Sequence, residues 1–465
     1  MKNFNSDYFN NQSKIIAEAA FIGFGEVNTP KDIIEKKCLI AKKELENLGV
    51  NLKCFEIVSD DQQGLQAKKA IEVLQKINFD FIVVCIAGWI PTWAVLRVVN
   101  NFSNKPMLLW GLSGYYDDKN KLYTTADQAG TTAIRKVFED LNYNFKYIYN
   151  FTGKNADIEK IKNFAVAVKA LNKLKSSKIS MMGYRDMNLY STFYDPVLVK
   201  KIFGTEFEHF EMLEINQKIK NLDNNKVLKE YEKIKNSWKF TKPAAKDTLI
   251  KGIKYYLSIK EKIEEKQYDA ISLIDVDGMK KLEGFPPAMV FMLISNELNI
   301  PSIPENDSYG SLTQLISKYL TGQISAYFEF YEFMEDRILV GVLDFIPKEV
   351  TDGDILVMPT KFGDFNEGIL NVSKVKTGIV TLARFSTKNG KFILHLLTGK
   401  AVSPRPWEEV GWTPPAPQLP SLEIILDVPI EDFAPKVLSQ HYILTYGDNT
   451  KLFIEFCNLH KIDMI

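Results

Sequence analysis

The sequence predicts an α/β protein in which two doubly wound parallel-sheet domains precede a β-rich, antiparallel C-terminal domain. Over the first two thirds of the chain, apolar runs alternate with helical segments, which is typical of parallel sheets covered on both faces. The last third contains short strand-like runs separated by Gly, Pro, Asn and Asp, which favours antiparallel pairing. A Lys-rich helical segment at 156–176 separates the first two repeats. We therefore expect domains at 1–177, 178–335 and 336–465.

The first domain is expected to place ligand-contacting side chains at the carboxyl ends of its strands. Trp89 falls at such an end, in the sequence AGWIPTW. Gly23 and Gly25 supply the first two glycines of a dinucleotide-binding fingerprint, but Asn28 stands where the third belongs, which argues against a dinucleotide. The expected strands are 17–27, 50–58, 79–91 and 106–114, with helices at 31–48 and 62–77.

The second domain repeats this alternation, and Arg185 follows its first strand. Strands are expected at 178–184, 207–215 and 268–277, and helices at 197–204 and 284–298. The domain ends in the stretch 299–333, which we expect to organise the site. Its central helix is predicted by apolar residues recurring from Leu312 to Leu320, with Ser308 or Ser311 as the cap and Gly322 just past the end.

Two acids flank that helix. Glu305 follows a short apolar run, and Glu329 lies within the aromatic run YFEFYEF. One interpretation is an edge strand with its acids in water. The other is that the two carboxylates converge on a divalent metal, because burying a charge without a partner is costly and hard cations prefer oxygen ligands.

The third domain contributes a histidine and a proline-rich segment. His441 begins the run HYILTYGD, where a metal ligand and a structural hydrogen-bonding histidine are both compatible with the pattern. Of the other histidines, His209 and His460 are interpreted as solvated and His395 as packed. The segment 403–420, which holds Arg405, is either a linker or a site-forming loop. Strands are expected within 336–346, 354–362, 376–386, 391–397, 422–428 and 440–448, before a helix at 449–460.

Composition excludes several classes of protein. Lysine plus arginine equals aspartate plus glutamate at 58 each, so no global field attracts nucleic acid or an anionic membrane. The four cysteines are scattered without a CxxC pair, which fits a reducing compartment. No apolar run of membrane-spanning length occurs, and the N-terminus lacks the apolar segment of a secretory signal. We expect a cytoplasmic protein.

These residues resemble the L-fucose isomerase and L-arabinose isomerase superfamily, closest to its compact fucose isomerase-related branch. The resemblance covers nearly the whole chain. The family pattern P-x-x-x-E-x-D-x-x-G matches IPSIPENDSYG at Glu305, the second acid motif matches FEFY at Glu329, and the terminal histidine before a Gly-Asp turn matches His441. The segments ILVGVLDFIP and SLIDVDG depart from the sugar-named enzymes, which carry histidine or cysteine there.

The resemblance implies a metal-dependent aldose–ketose isomerase working through an enediol. It implies that Glu305, Glu329 and His441 hold Mn²⁺, or Co²⁺, Fe²⁺, Zn²⁺ or Mg²⁺, and that both glutamates act as acid/base groups. The sugar is an L-fucose, arabinose or sulfoquinovose type, and the assembly a homo-oligomer, a trimer or hexamer. The alternative is a non-catalytic intracellular carbohydrate-binding or regulatory protein on the same scaffold.

Four side chains are candidates for substrate binding. Arg185 can hold a hydroxyl, carboxylate or sulfonate, or can form a surface salt bridge. The segment AGWIPTW, which contains Trp89, resembles a first-domain loop of the family that can reach the site of a neighbouring subunit. The alternative is that Trp89 packs in an interdomain face. Arg384 and Arg405 are candidates from the third domain.

Overall fold

The computed structural model describes residues 16–341, 345–361, 366–404 and 420–465. The chain divides into two compact units, one holding residues up to Asn172 together with Ile454–Leu459, the other holding Lys173–Phe453 and His460–Ile465. The first division lies close to the predicted boundary at 177, and the second and third predicted domains fall in one unit. The three-domain division stays a prediction.

The first unit is built on a parallel sheet with the strand order β2-β1-β3-β4-β7. Its strands are almost wholly buried in the middle of the sheet, as the continuous apolar sequences predict. Its elements are β1 (Glu18–Phe24), α1 (Lys31–Asn47), β2 (Asn51–Val58), α2 (Leu65–Leu74), β3 (Phe81–Ile86), α3 (Thr92–Val99), β4 (Met107–Gly111), β5 (Tyr115–Tyr116), β6 (Leu122–Tyr123), α4 (Asp127–Asp140), β7 (Phe145–Tyr149) and most of α5 (Ile158–Leu174).

The second unit begins with another parallel sheet, of strand order β12-β11-β8-β9. The predicted strand 207–215 is wrong in its second half, because a capping box of Glu211 and Glu214 starts a helix there. The elements of this part are β8 (Lys178–Met182), α6 (Pro196–Phe203), β9 (Glu206–Phe210), α7 (Met212–Lys220), α8 (Asn224–Ser237), β10 (Lys239–Phe240), α9 (Lys246–Lys266), β11 (Ala270–Leu273), a π-helix (Asp275–Lys280), α10 (Ala288–Leu298), β12 (Ser302–Ile303) and α11 (Ser308–Thr321).

The rest of the second unit is dominated by a closed antiparallel barrel. In the described residues, its six strands follow the cyclic order β13-β14-β19-β18-β17-β20, and β21 adds to β18 in parallel. A small sheet β10-β15-β16 lies outside it. The elements are β13 (Ala326–Phe333), β14 (Ile338–Gly341), β15 (Leu356–Lys361), β16 (Glu367–Asn371), β17 (Gly378–Lys388), β18 (Lys391–Val402), β19 (Ser421–Leu426), α12 (Ile430–Phe433), β20 (His441–Tyr446) and β21 (Asp463–Met464). Helix α13 (Thr450–His460) belongs mostly to the first unit, through Ile454–Leu459.

The barrel has two chemically distinct faces. Phe328, Leu382 and Leu444 belong to its apolar core, whereas Tyr327 and Ile443 pack on Ile303 of the second sheet. Because side chains alternate along a strand, Glu329 and His441 share the face of Tyr327 and Ile443. The predicted α/β fold, with parallel sheets followed by an antiparallel sheet, is confirmed. No helix in the described ranges is long and apolar enough to cross a membrane.

Candidate active site

The second sheet brings two acidic loops together where its strand order reverses. Strands β8 and β11 are neighbours, and the chain leaves them in opposite directions across the sheet. Asp186 follows β8, and its carboxylate accepts hydrogen bonds from the backbone N–H groups of Val276, at 2.9 Å, and Asp277, at 2.7 Å, which follow β11. The crevice at such a reversal is the usual ligand position of an open parallel sheet.

Asp186 and Asp275 form a buried pair of carboxyl groups at this position. Asp186 is fully buried and Asp275 is 1% exposed. Burial, followed by the charge of Asp275 and a hydrogen bond with it, raises the pKa of Asp186 to about 7. The buried ammonium of Lys280 lies 3.0 Å from Oδ2 of Asp275 and balances part of this charge.

Glu305 lies in a strained turn directly after β12. Its φ is 63° and that of Asn306 is 46°, in the left-handed region that costs a residue other than glycine roughly 1–2 kcal/mol. The turn is held by the carboxylate of Asp275, which accepts the backbone N–H of Glu305 at 2.7 Å. The side chain of Asn306 donates to the carbonyls of Met182 and Tyr184. Strain that is held in place in this way is typical of functional sites.

Glu329 and His441 are direct partners in the barrel ladder between β13 and β20. The next pair carries the backbone hydrogen bond from Phe330 to Gln440, so Glu329 and His441 form the non-bonded kind of pair, in which side chains lie closest. Strand β13 also pairs with β14 on its other side. The edge-strand interpretation of this segment is therefore wrong.

His441 faces Glu305 across a short gap. Its Nδ1 lies 3.5 Å from Oε2 of Glu305, and its ring stacks on that of Tyr327 with centroids 4.4 Å apart. Burial lowers the pKa of His441 to about 3, so the imidazole is neutral near pH 7. Burial raises the pKa of Glu305 well above its usual range, and the charges of Asp275 and Glu329 raise it further.

Asp307 connects helix α11 to the barrel. Its carboxylate caps the helix by accepting the N–H of Gly310 at 3.0 Å, so the expected caps Ser308 and Ser311 are wrong. It also accepts the hydroxyl of Tyr327 at 2.9 Å and both terminal nitrogens of Arg384. Burial alone would raise the pKa of Asp307, but the charge and hydrogen bonds of Arg384 hold it below its usual range.

The donor atoms of Glu305 and His441 suit a divalent ion. Oε2 of Glu305 and Nδ1 of His441 are buried without a hydrogen-bond partner. Neighbouring ligands of an octahedral ion lie about 3 Å apart, close to their 3.5 Å separation. Neutral imidazole is the form that binds metal, and the positive charge of a bound ion would favour the ionised form of the Glu305 carboxyl group. As the side chains stand, no group of three or more His, Cys, Asp or Glu within the described ranges is arranged to hold a metal.

The four predicted substrate-binding residues have different surroundings. Arg384 is fully buried and paired with Asp307, so it presents no surface to a substrate. Arg185 is exposed, and its guanidinium lies 5.0 Å from the ring of Phe193 and 5.7 Å from that of Tyr184. Trp89 belongs to the first unit, where its side chain is 41% exposed. Arg405 lies outside the described residues.

The remaining histidines have structural surroundings. His395 is 1% exposed and hydrogen-bonded to the hydroxyl of Tyr442 at 2.7 Å, which confirms its packed role. His209 is exposed, as expected. The interpretation of His460 as solvated is wrong, because it packs on Phe203 with ring centroids 5.1 Å apart, and burial lowers its pKa to about 4.

Asp186, Asp275 and Lys280 lie beside the predicted site residues but were not among them. A signal was present, since Asp186 and Asp275 each follow a buried strand of a parallel sheet, where ligand-contacting groups collect. Tyr327 is a further residue that contacts a predicted ligand, His441. Its stacking on His441 depends on strand pairing over more than a hundred residues, which no local pattern reveals.

No protein-family model matches this chain, and no curated protein matches it. The site must therefore be interpreted from its own geometry and chemistry.

Proposed function

We propose that this protein is a metal-dependent aldose–ketose isomerase that interconverts a monosaccharide through an enediol. The observation that carries the proposal is that Glu305 and His441, from different parts of the chain, face each other with unpartnered buried donor atoms. Glu329, the third predicted ligand, is the direct strand partner of His441. The same three residues carry the resemblance to the L-fucose and L-arabinose isomerases.

Glu305, Glu329 and His441 would hold the ion, Mn²⁺ or another divalent metal. When bound, it would act as a Lewis acid that polarises the two oxygens of the sugar between which the carbonyl moves. The ring of Tyr327 covers one face of His441 and fixes its orientation. The hydroxyl of Tyr327 is in turn held by Asp307, which Arg384 keeps ionised.

The proton transfer requires a group that accepts a proton from C2 of the aldose and returns it to C1. A carboxylate whose pKa is raised toward neutrality is suited to both halves of this transfer. Glu305 is the first candidate for this group, because burial and the charges of the neighbouring acids raise its pKa well above the usual range. Glu329, the direct strand partner of His441, is the second acid/base candidate, and either carboxylate can take the proton first.

The finer expectations belong to the same proposal. They are the three-domain organisation, a homo-oligomer of three or six chains, a cytoplasmic location, and a substrate among L-fucose, the arabinoses and sulfoquinovose. The exposed guanidinium of Arg185, one residue before Asp186, is the reason to include a sulfonated sugar among the substrates tested.

A sugar panel tests the function directly. Protein stripped with a chelator should form no ketose from L-fucose, D-arabinose, L-arabinose or 6-sulfonated glucose, and Mn²⁺ should restore ketose formation with one of them. In deuterated water, the ketose should carry deuterium at C1 when the transferred proton exchanges with solvent. Sugar binding without ketose formation under all metals tried would instead support the carbohydrate-binding alternative.

A further inference from the structure

The π-helix after β11 contains a buried ion pair with no evident contact to solvent. Asp275 and Lys280, at its two ends, are 1% and 2% exposed, and the Lys280 ammonium lies 3.0 Å from Oδ2 of Asp275. A π-helix interrupts regular hydrogen bonding and is often retained where function needs it. A buried pair of this kind gives little net stability over apolar side chains, so its presence calls for a reason.

The second oxygen of Asp275 supplies that reason. Oδ1 accepts the backbone N–H of Glu305 at 2.7 Å, and Glu305 has the left-handed φ of 63°. This hydrogen bond is a restraint on the backbone of the predicted metal ligand itself. Without an acceptor in this position, the Glu305 N–H would have to find another partner, and the turn would be free to relax to an extended φ.

Asp275 is itself held firmly. Asp186 binds the N–H groups of the two residues that follow Asp275, and the carboxylate of Asp277 accepts the N–H of Met187 at 2.7 Å. The loop after β8 thus accepts hydrogen bonds from the loop after β11 at Asp186, and donates one to it from Met187. The restraint on Glu305 is therefore anchored to two strands of the sheet.

We propose that Asp275, balanced by Lys280, is a positioning residue that holds Glu305 in its left-handed turn with the carboxylate directed at His441, and so sets the metal affinity of the site. The effect on metal affinity rests on the proposed function, whereas the effect on the turn does not. Asp275 acts through Glu305 and is not itself a metal ligand in this proposal.

Two double variants with the same charge isolate the hydrogen bond. Asp275→Asn/Lys280→Met keeps a carbonyl oxygen that can accept the Glu305 N–H and removes the lysine that the lost charge would leave unpaired. Asp275→Ala/Lys280→Met removes the same charges but leaves no acceptor. Lys281→Met, which removes an exposed lysine directly after this helix, is the control for losing a neighbouring cation.

Mn²⁺ binding to the chelator-stripped full-length protein is measured by calorimetry, together with the thermal unfolding midpoint. We expect Asp275→Asn/Lys280→Met and Lys281→Met to bind Mn²⁺ within about threefold of the wild type. Asp275→Ala/Lys280→Met should bind Mn²⁺ at least tenfold more weakly than the wild type, with a similar thermal unfolding midpoint. Equal Mn²⁺ affinity of the two double variants would overturn the proposal.

Hydrogen–deuterium exchange of the metal-free protein provides a second measurement that needs no metal. The peptide covering residues 300–310 should stay protected in Asp275→Asn/Lys280→Met and should exchange faster in Asp275→Ala/Lys280→Met. Equal protection in both would refute the positioning role. If the wild type binds no Mn²⁺, the proposed function and the affinity effect both fail, and the exchange result alone decides whether Asp275 holds the turn.

Discussion

Arg384, on a strand of the barrel, donates both of its terminal nitrogens to the carboxylate of Asp307, the residue that caps helix α11, and both side chains are fully buried. The pair joins the barrel to the turn that carries Glu305. A buried carboxylate that loses its only cationic partner is strongly destabilising, whereas the intact pair contributes little.

Replacing Arg384 by Met should therefore destabilise the second unit by about 3–5 kcal/mol. The reason is that the Asp307 carboxylate would remain buried without a cation. Urea unfolding followed by fluorescence measures the change. Lys200→Met, which removes an exposed pair with Glu206 in the same unit, should cost less than about 1 kcal/mol. Similar losses in the two variants would contradict the structural role given to Arg384.

If the proposed function is correct, Glu305→Gln should reduce isomerisation while leaving the protein folded. Glutamine preserves the side-chain volume but can neither accept the proton nor supply the negative charge to the metal. We expect kcat and kcat/KM to fall by at least about 10²–10⁴-fold. Glu332→Gln, on the exposed end of β13, is the matched control and should retain activity. A Glu305→Gln protein with more than about a tenth of normal activity would be too active for this role.

His441→Ala should weaken Mn²⁺ binding by more than tenfold. The variant removes an imidazole that is neutral near pH 7 and whose Nδ1 has no hydrogen-bond partner. Metal analysis after equilibrium dialysis gives the occupancy. The control is His209→Ala, which removes an exposed histidine hydrogen-bonded to the carbonyl of Gly183. Full occupancy at unchanged affinity in His441→Ala would show that the ligand assignment is wrong.

Arg185→Met should discriminate among substrates. A charge-assisted hydrogen bond is worth about 1.5–3 kcal/mol, so KM for a sulfonated sugar should rise roughly tenfold or more. KM for an uncharged sugar should change much less. Folding should be unaffected, because Arg185 is exposed and contacts the aromatic rings of Tyr184 and Phe193. An equal change in KM for charged and uncharged sugars would show that Arg185 does not bind the anionic group of the substrate.

His395→Gln should make the free energy of unfolding depend less on pH below neutral pH. Burial, with a smaller contribution from Lys436, lowers the pKa of His395 to about 4, below its unfolded value of about 6.5. Between these values the unfolded chain binds a proton that the folded protein does not. The free energy of unfolding therefore falls as the pH decreases through this window, by about 1.4 kcal/mol per pH unit.

The difference between wild type and His395→Gln isolates this contribution. Glutamine can still hydrogen-bond to the hydroxyl of Tyr442 but does not titrate. Urea midpoints at pH 7.5 and pH 5 should show that the variant loses about 2 kcal/mol less than the wild type over that interval. Parallel profiles would mean that His395 does not change its protonation between the two states.

Sequence patterns predicted the elements whose formation depends on residues close together in the chain. Helix α11 has its predicted apolar spacing and ends at Gly322, whose φ of 74° is the left-handed conformation expected there. The cap was mistaken because Asp307 and Ser308 satisfy the same sequence rule. Strand β16 was missed, since EGILN is short and contains a glycine that weakens the strand signal.

The site was only partly predictable for a different reason. Glu305, Glu329 and His441 stand in recognisable motifs, so their residue types and order led to the prediction that they share a site. The pairing of Arg384 with Asp307 spans 77 positions, and Asp275 meets Glu305 only because β11 and β12 are neighbours in the sheet. Such contacts are decided by tertiary structure, and no window of sequence carries them.

The position of β20 in the barrel has a consequence for how the protein matures during synthesis. This strand, His441–Tyr446, is inserted between β13 and β17, which precede it by many residues. Until it emerges, the ring is open and the unpaired sides of β13 and β17 can pair with other chains. A ribosome that stops before residue 441 therefore releases a chain that has neither a closed barrel nor the imidazole that faces Glu305, and we expect this chain to aggregate.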